Sequence, residues 1–246
     1  MRFIVSLFAV LLTLSGLYAQ DGLYGTFLVG QKIVDFGPFN ELLKQNFDLE
    51  ENLFPNSNWT IGGEGHVVIN RMFVVGGKAF GISHERVIDH DVQRRVRMTS
   101  GMGVGFLGLN IIPENFAGIR LYPNVGAGIS SFIIQSKRSL PEERRDFDLV
   151  LRTLEDEIVT LGKLGLIIDA GVGFDWYRPF KRFFTFVPGL DLGILVHAQA
   201  GYSFLPGDLE WRRDFDMAGQ DQVEGGPDLK FDGFYFNLGL GIGLSN

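Results

Sequence analysis

Hydrophobic and polar positions alternate with period two through most of this chain, and the alternation is clearest at its end. In FDGFYFNLGLGIGLSN, Phe234, Phe236, Leu238, Leu240, Ile242 and Leu244 share one parity, and Gly233, Tyr235, Asn237, Gly239, Gly241 and Gly243 the other. Period two is the signature of a strand, whose side chains point alternately to opposite faces. The same figure recurs in GMGVGFLGL, GAGISSF, DAGVGFDW and GLDLGILV. Glycine weakens a strand, so a glycine-rich face needs a reason. A closed wall supplies one, with an apolar outer face and an inner face that leaves room for large side chains across a narrow lumen.

Eight strands are predicted in order. Leu23–Val34 is followed by an acidic loop in which Phe39, Leu42, Leu43 and Phe47 have helical spacing. Trp59–Asn70 opposes Gly63, Gly65, Val67 and Ile69 to Gly62, Glu64, His66 and Val68, and a tight hairpin at Asn70-Arg71 leads into Met72–Ser83. A charged loop, His84–Arg94, precedes Arg95–Asn110, and Ile112-Pro-Glu-Asn-Phe116 makes a short turn. Ala117–Gln135 puts Arg120, Tyr122, Asn124, Gly126, Gly128 and Ser130 on one face. Ser136–Thr160 is charged, and Phe147, Leu151, Leu154, Ile158 and Leu161 step as an amphipathic helix. Leu161–Tyr177 sets Lys163, Asp169 and Asp175 against Leu166, Ile168, Val172 and Phe174. A short turn, Arg178–Lys181, joins it to Arg182–Tyr202, where Asp191, Gly193, His197 and Gln199 oppose Leu192, Ile194 and Val196. A polar loop over 204–230 precedes the last strand. The expected fold class is all-β, an eight-stranded antiparallel up-and-down transmembrane β-barrel with short periplasmic turns and long outside loops. A soluble barrel would bury its apolar face and show water a polar one, and here the charge-bearing face is too polar for a core.

Residues 1–19 change the picture of where such a barrel works. Arg2, an apolar run from Phe3 to Leu14 and small Ala19 read as a cleaved signal peptide, leaving 20–246 as one barrel domain exported to the bacterial outer membrane. The chain has no cysteine, so its core or closure of the sheet, not disulfides, must hold it. Its formal charge of −7 is not that of a nucleic-acid binder.

With this strand count and alternation of connections, the chain resembles the eight-stranded outer-membrane barrels of the OmpA transmembrane-domain, OmpX and OmpW type. The resemblance covers nearly all of residues 20–246 and is one of pattern. Those families usually end their last strand on an aromatic residue, whereas this chain ends Leu244-Ser245-Asn246. The resemblance implies outer-membrane lipid and the barrel-assembly machinery as partners.

The candidate site is a lumen charge network of Glu64, His66, Lys78, Arg120, Asp169, Asp175, Asp191 and His197, all on predicted inward positions. Both signs are present, and unpaired burial is costly, so they are expected to pair, with Arg120 meeting Glu64, Asp169 or Asp191. Two functions follow: a packed, non-enzymatic barrel whose extracellular loops carry a structural or surface-interaction role, or a narrow channel for small solutes or ions. Gly103-Val-Gly105-Phe-Leu-Gly108 matches a dinucleotide fingerprint, yet no helix follows it, so no cofactor is expected. His197-Ala-Gln199 has no neighbouring serine, and His84 and His90 have only Ser83 nearby, so no catalytic residue is assigned. The carboxylates of 204–230 do not follow EF-hand spacing, so no metal ligand is assigned, and calcium at that loop stays an open question. Trp176, Tyr177, Phe180, Phe183 and Phe184 are expected to form an interfacial girdle.

Overall fold

The computed structural model describes residues 22–47, 51–89, 94–112, 118–137, 158–180, 191–207, 211–213, 222–223, 227 and 229–245. Among these residues the strands are β1 (Gly22–Ile33), β2 (Ser57–Ile69), β3 (Phe73–Asp89), β4 (Arg94–Leu109), β5 (Ile119–Lys137), β6 (Ile158–Pro179), β7 (Asp191–Phe204), β8 (Trp211–Arg213), β9 (Gln222–Val223) and β10 (Gly233–Ser245), and the helix is α1 (Gly37–Phe47). Sequential antiparallel pairing runs from β1 to β7. β7 then pairs with β10, and β10 returns to β1 from Leu23↔Leu244 to Lys32↔Tyr235. β5 pairs with β6, so the sheet closes on itself as an eight-stranded, all-antiparallel barrel. Closure leaves these eight strands without a free edge. The short hairpin β8–β9 adds to β6 at Leu161↔Arg213, beyond the last rung of β7 at Ile168↔Phe204.

Strict alternation sorts the side chains. Leu166, Leu240, Phe234 and Ile242 are exposed on the outside, while Tyr24, Leu28, Asp175, His197 and Asn237 are buried inside. The tight hairpin forms as the sequence predicts: Asn70 and Arg71 take φ of 50° and 54°, and Met72 N–H donates to Ile69 O at 3.2 Å. Two consecutive positive φ values match the twist of the strands they join. α1 also forms, and turns Phe39 and Leu43 into the barrel mouth.

Four expectations need correction. Residues 84–89 are not loop. β3 and β4 continue outward through Glu85↔Arg97 and Arg86↔Val96, where cross-strand pairing holds a charged hairpin together in water. Ile158 and Leu161 are strand, paired to Lys137 and Ile134, because pairing with β5 outweighs their helical spacing; 147–157 lie outside the described residues. Arg178 and Pro179, expected in a short turn, end β6 and pair with Ile194 and Gly193; the strand start expected at Arg182 lies among 181–190, outside the described residues. The 204–230 segment is not only loop, since it carries β8–β9. The signal peptide, most of the 112–116 turn, His90, Phe183 and Phe184 also lie outside the described residues.

The glycine rule holds on β10 and reverses on β4. There Met102, Val104 and Phe106 point inward and are buried, and Gly101, Gly103 and Gly105 look outward. Inward Gly128 is sterically demanded, since a Cβ would lie 1.9 Å from Gly103 O; at outward Gly103 a Cβ would meet nothing within 4 Å. Bulky residues of β4 face in because the lumen is not polar throughout. Its outer half is an apolar core: Phe80, Ile82, Met98, Met102, Phe132, Ile134 and Ile167 on the walls, closed over by Phe36, Phe39, Leu43, Phe54, Leu229 and Phe231. Phe36 meets Phe54 and Phe132 edge-on or tilted at centroid distances of 6.3 and 6.5 Å.

Candidate functional site

Beneath that plug, the inward positions of β2, β5, β6 and β7 assemble the predicted charges into a closed ring. Glu64 and His66 lie two apart on β2, so both point in. Register places Arg120 of β5 opposite Asp175 of β6, and Asp175 opposite His197 of β7. His66 Nδ1 faces Glu64 Oε1 at 3.1 Å and its Nε2 faces Asp175 Oδ2 at 3.0 Å. His197 Nδ1 faces Asp175 Oδ1 at 2.7 Å, and its Nε2 lies 3.4 Å from Glu64 Oε2. Each imidazole thus stands between two carboxylates with both ring nitrogens turned to oxygen, which suits a ring carrying two N–H donors.

Arg120 completes the ring from the periplasmic side of the predicted topology. Its Nε donates to Asp175 Oδ2 at 3.2 Å, and its guanidinium lies 3.8 Å above the Tyr24 ring. Tyr122 O–H donates to Glu64 Oε1 at 3.1 Å. Asp175 and His197 side chains are fully excluded from solvent, whereas Arg120 keeps 12% of its side chain exposed. Charges so enclosed are screened little by salt and must be paired to be tolerated.

A second cluster sits one level outward. Lys78 Nζ pairs with Asp169 Oδ2 at 2.6 Å and donates to Tyr235 Oη at 2.5 Å, while Tyr235 O–H donates to the same carboxylate at 3.1 Å. Lys32 donates to Ser203 Oγ and lies 4.5 Å from the Phe231 ring centroid, and Thr60 O–H donates to Asn237 Oδ1 at 2.8 Å.

Of the eight predicted residues, seven are inside and joined. Asp191 is not: it begins β7 at the open end of the barrel, is exposed, and contributes only its backbone carbonyl, which accepts from Tyr177 O–H at 2.5 Å. Arg120 therefore pairs with Asp175, its direct cross-strand neighbour, and not with Glu64, Asp169 or Asp191. Tyr177 leaves the expected girdle, because its parity is inward and it is buried; Trp176 and Phe180 are exposed outside. Lys32, Tyr24 and Tyr122 belong to the lumen clusters too. Lys32 shares parity with Tyr24, Thr26, Leu28 and Gly30, so alternation on β1 carried the signal.

Chemically the ring is closely paired. Its imidazoles face carboxylates at 2.7–3.4 Å, so the carboxylate oxygens are turned to nitrogens, and Thr26 O–H beside it on β1 donates to the Glu64 backbone carbonyl at 3.3 Å. Among the described residues no cluster of His, Asp and Glu is disposed to hold a metal. At the outer mouth, His84 on the extension of β3 keeps the inward parity of Phe80 and Ile82, meets the Phe54 ring edge-on and bonds Asn58 Oδ1 at 2.6 Å, and partial burial, then the charge of Arg86, hold its imidazole below its ordinary value.

The chain is similar in fold to solved outer-membrane barrels. The crystal structure of Ail, the attachment invasion locus protein of Yersinia pestis, in complex with the heparin analogue sucrose octasulfate, matches at TM-score 0.45 and 12% identity, over 92% of this chain and 99% of that one. OprG from Pseudomonas aeruginosa matches at 0.39 and 11%, over 92% and 96%. The outer membrane protease OmpT from Escherichia coli matches at 0.34 and 8%, over 93% and 98%. No family model and no curated protein matches the chain. These are likenesses of fold, and they carry no residue roles across.

Proposed function

We propose that this protein is a non-enzymatic, integral outer-membrane barrel with a filled lumen, whose structural or surface-interaction role is carried by the segments beyond its outer end. The observation that carries this reading is the inversion of the usual burial rule. Large apolar side chains (Phe27, Trp59, Leu107, Val125, Leu166, Leu240) stand exposed around the whole circumference, while Lys78, Asp169, Asp175 and His197 are buried. A wall of this kind is at home in lipid, where every backbone group must be paired within the barrel, as closure ensures. An apolar surface encircling the barrel far exceeds the patches that soluble monomers expose. The ring and the aromatic plug occupy the lumen, so groups available to a partner lie outside it. The domain reading, with a signal peptide over 1–19 and the barrel over 20–246, belongs to the same proposal. The mature chain refolded in detergent should migrate faster unboiled than boiled and give a β-type circular dichroism spectrum; identical migration with no β signal would refute it.

One observation favours a narrow channel as the second reading. Asn124 Oδ1, Gln199 Nε2 and Asn237 Nδ2 are buried without a protein hydrogen-bond partner. Buried polar atoms are rarely left unsatisfied, so water held at these positions is the natural partner, and a thread of such waters is what a thin conducting path would need. Single-channel recording separates the two readings.

A further inference from the structure

The outer edge of the apolar belt is not uniform. On β2, β7 and β10 it is aromatic, with Trp59, Tyr202, Phe204 and Phe234 exposed. On β4 it is bare and then basic, beside a β3 face that is glycine and alanine up to Ser83. Reading outward along the external face of β4, Gly103 and Gly101 give way to Thr99, then Arg97, then Arg95. Ser83 and Thr99 hydroxyls meet at 3.4 Å across the β3–β4 pair, marking where the wall turns polar. Arg97 stands opposite Glu85 and Gln135 on its two neighbours. Glu85, however, bonds the diagonal Arg95 (Nη1 to Oε1, 3.3 Å), and Arg97 has no hydrogen-bond or ion-pair partner among the described residues. Of the two exposed guanidiniums, one is thus paired and one is not, both on the side of the barrel and in line with the apolar wall, about 13 Å along the strand from Gly101 to Arg97 at the usual rise per residue.

We propose that Arg97 and Arg95 form a docking surface for the phosphate-bearing headgroup of an anionic membrane lipid. The inference rests on the membrane reading given above. A planar guanidinium fork matches phosphate oxygens in pairs, and long basic side chains at a membrane edge hold their charge at headgroup level while their stems lie on the apolar wall. Below them the wall offers backbone instead of side chains, so an acyl chain can lie close beneath the head it belongs to. Glu85 fixes Arg95 in place, and Arg97 is the free cation. A partner approaching from water along the barrel axis would meet the plug, whereas this pair faces sideways.

The test uses the full mature chain in zwitterionic detergent, with phosphatidylglycerol and phosphatidylcholine as competing probes and bound lipid read by native mass spectrometry. Wild type should retain phosphatidylglycerol over phosphatidylcholine. R95Q/R97Q should bind it about thirty-fold more weakly, the effect of two cations at an anionic surface, while Arg71→Gln with Arg178→Gln at the opposite end should bind as wild type does. Arg97→Gln alone should bind it about five-fold more weakly, the share of one cation. Heat-dependent migration confirms that each variant is folded. Equal retention by wild type and R95Q/R97Q would overturn the site. So would displacement of the lipid by inorganic phosphate at matched concentration, which would mean a simple anion site, or a dimer that R95Q/R97Q abolishes, which would mean a second copy. A wild type that neither enters lipid vesicles nor shows heat-dependent migration would overturn the membrane reading itself, and the lipid site with it.

Discussion

Asp175→Asn is the sharpest perturbation of the lumen. The substitution conserves volume, so it opens no cavity and isolates charge from packing. Asp175 receives His197 Nδ1 at 2.7 Å, His66 Nε2 at 3.0 Å and Arg120 at 3.2 Å, with none of its side chain exposed. An amide there keeps one acceptor, turns its NH2 toward groups that are themselves donors, and leaves the Arg120 guanidinium without its carboxylate and each imidazole with Glu64 alone. Removing one side of a buried pair in this way costs about 3 to 5 kcal/mol. Arg120→Met is milder, at about 1.5 kcal/mol, because Asp175 keeps both imidazoles and the loss is one charge-assisted contact at a partly exposed guanidinium. Urea unfolding of protein refolded into lipid vesicles, followed by tryptophan fluorescence, gives both values. Asp191→Asn is the control, since its side chain is exposed and should matter by less than about 0.5 kcal/mol. A loss in Asp175→Asn no larger than in Asp191→Asn would mean that the lumen is hydrated enough to screen the ring, and would refute the reasoning.

Lys78→Met should lose about 3 to 5 kcal/mol in the same assay, because Asp169 would keep only the Tyr235 hydroxyl; a value near the control would show that water replaces the lysine. Gly128→Ala should lose about 1 to 3 kcal/mol as an overpacked site, and outward Gly103→Ala should gain up to about 1 kcal/mol by restricting the unfolded chain. Equal effects at these two glycines would contradict the inward and outward assignment on β4 and β5. Leu43→Ala in α1 should lose about 2 to 5 kcal/mol if the helix is part of the barrel's core, and no loss would show that the plug rests on the mouth without packing there.

Period two made most of the architecture legible. On β5, β6, β7 and β10 the parity read from sequence is the parity of burial, and seven of the eight predicted lumen residues are where parity put them. Parity says which face a residue takes but not which neighbour it meets. Arg120 finds Asp175 because register, set by the pairing of β5 with β6, brings them opposite, and no pattern within one strand encodes that register. Parity is also blind to position along the barrel axis, so Asp191 shares its parity with residues far deeper in the lumen. The aromatic plug is hidden for another reason. Phe36, Phe54, Leu229 and Phe231 lie in connections, where no period announces a buried face, and they come together only because β1, β2 and β10 end at one mouth. The extension of β3 and β4 was masked by charge, since Glu85, Arg95 and Arg97 look like loop until they are seen to pair across a hairpin.

The central claim is that side chains close the lumen, with the ring below and the plug above. Single-channel recording of the refolded chain in planar bilayers tests it most directly, with insertion verified by heat-dependent migration of the same preparation. The closed barrel predicts a current indistinguishable from that of a protein-free bilayer. Discrete, reproducible conductance steps that change in Asp175→Asn would contradict it and establish the hydrated path in its place.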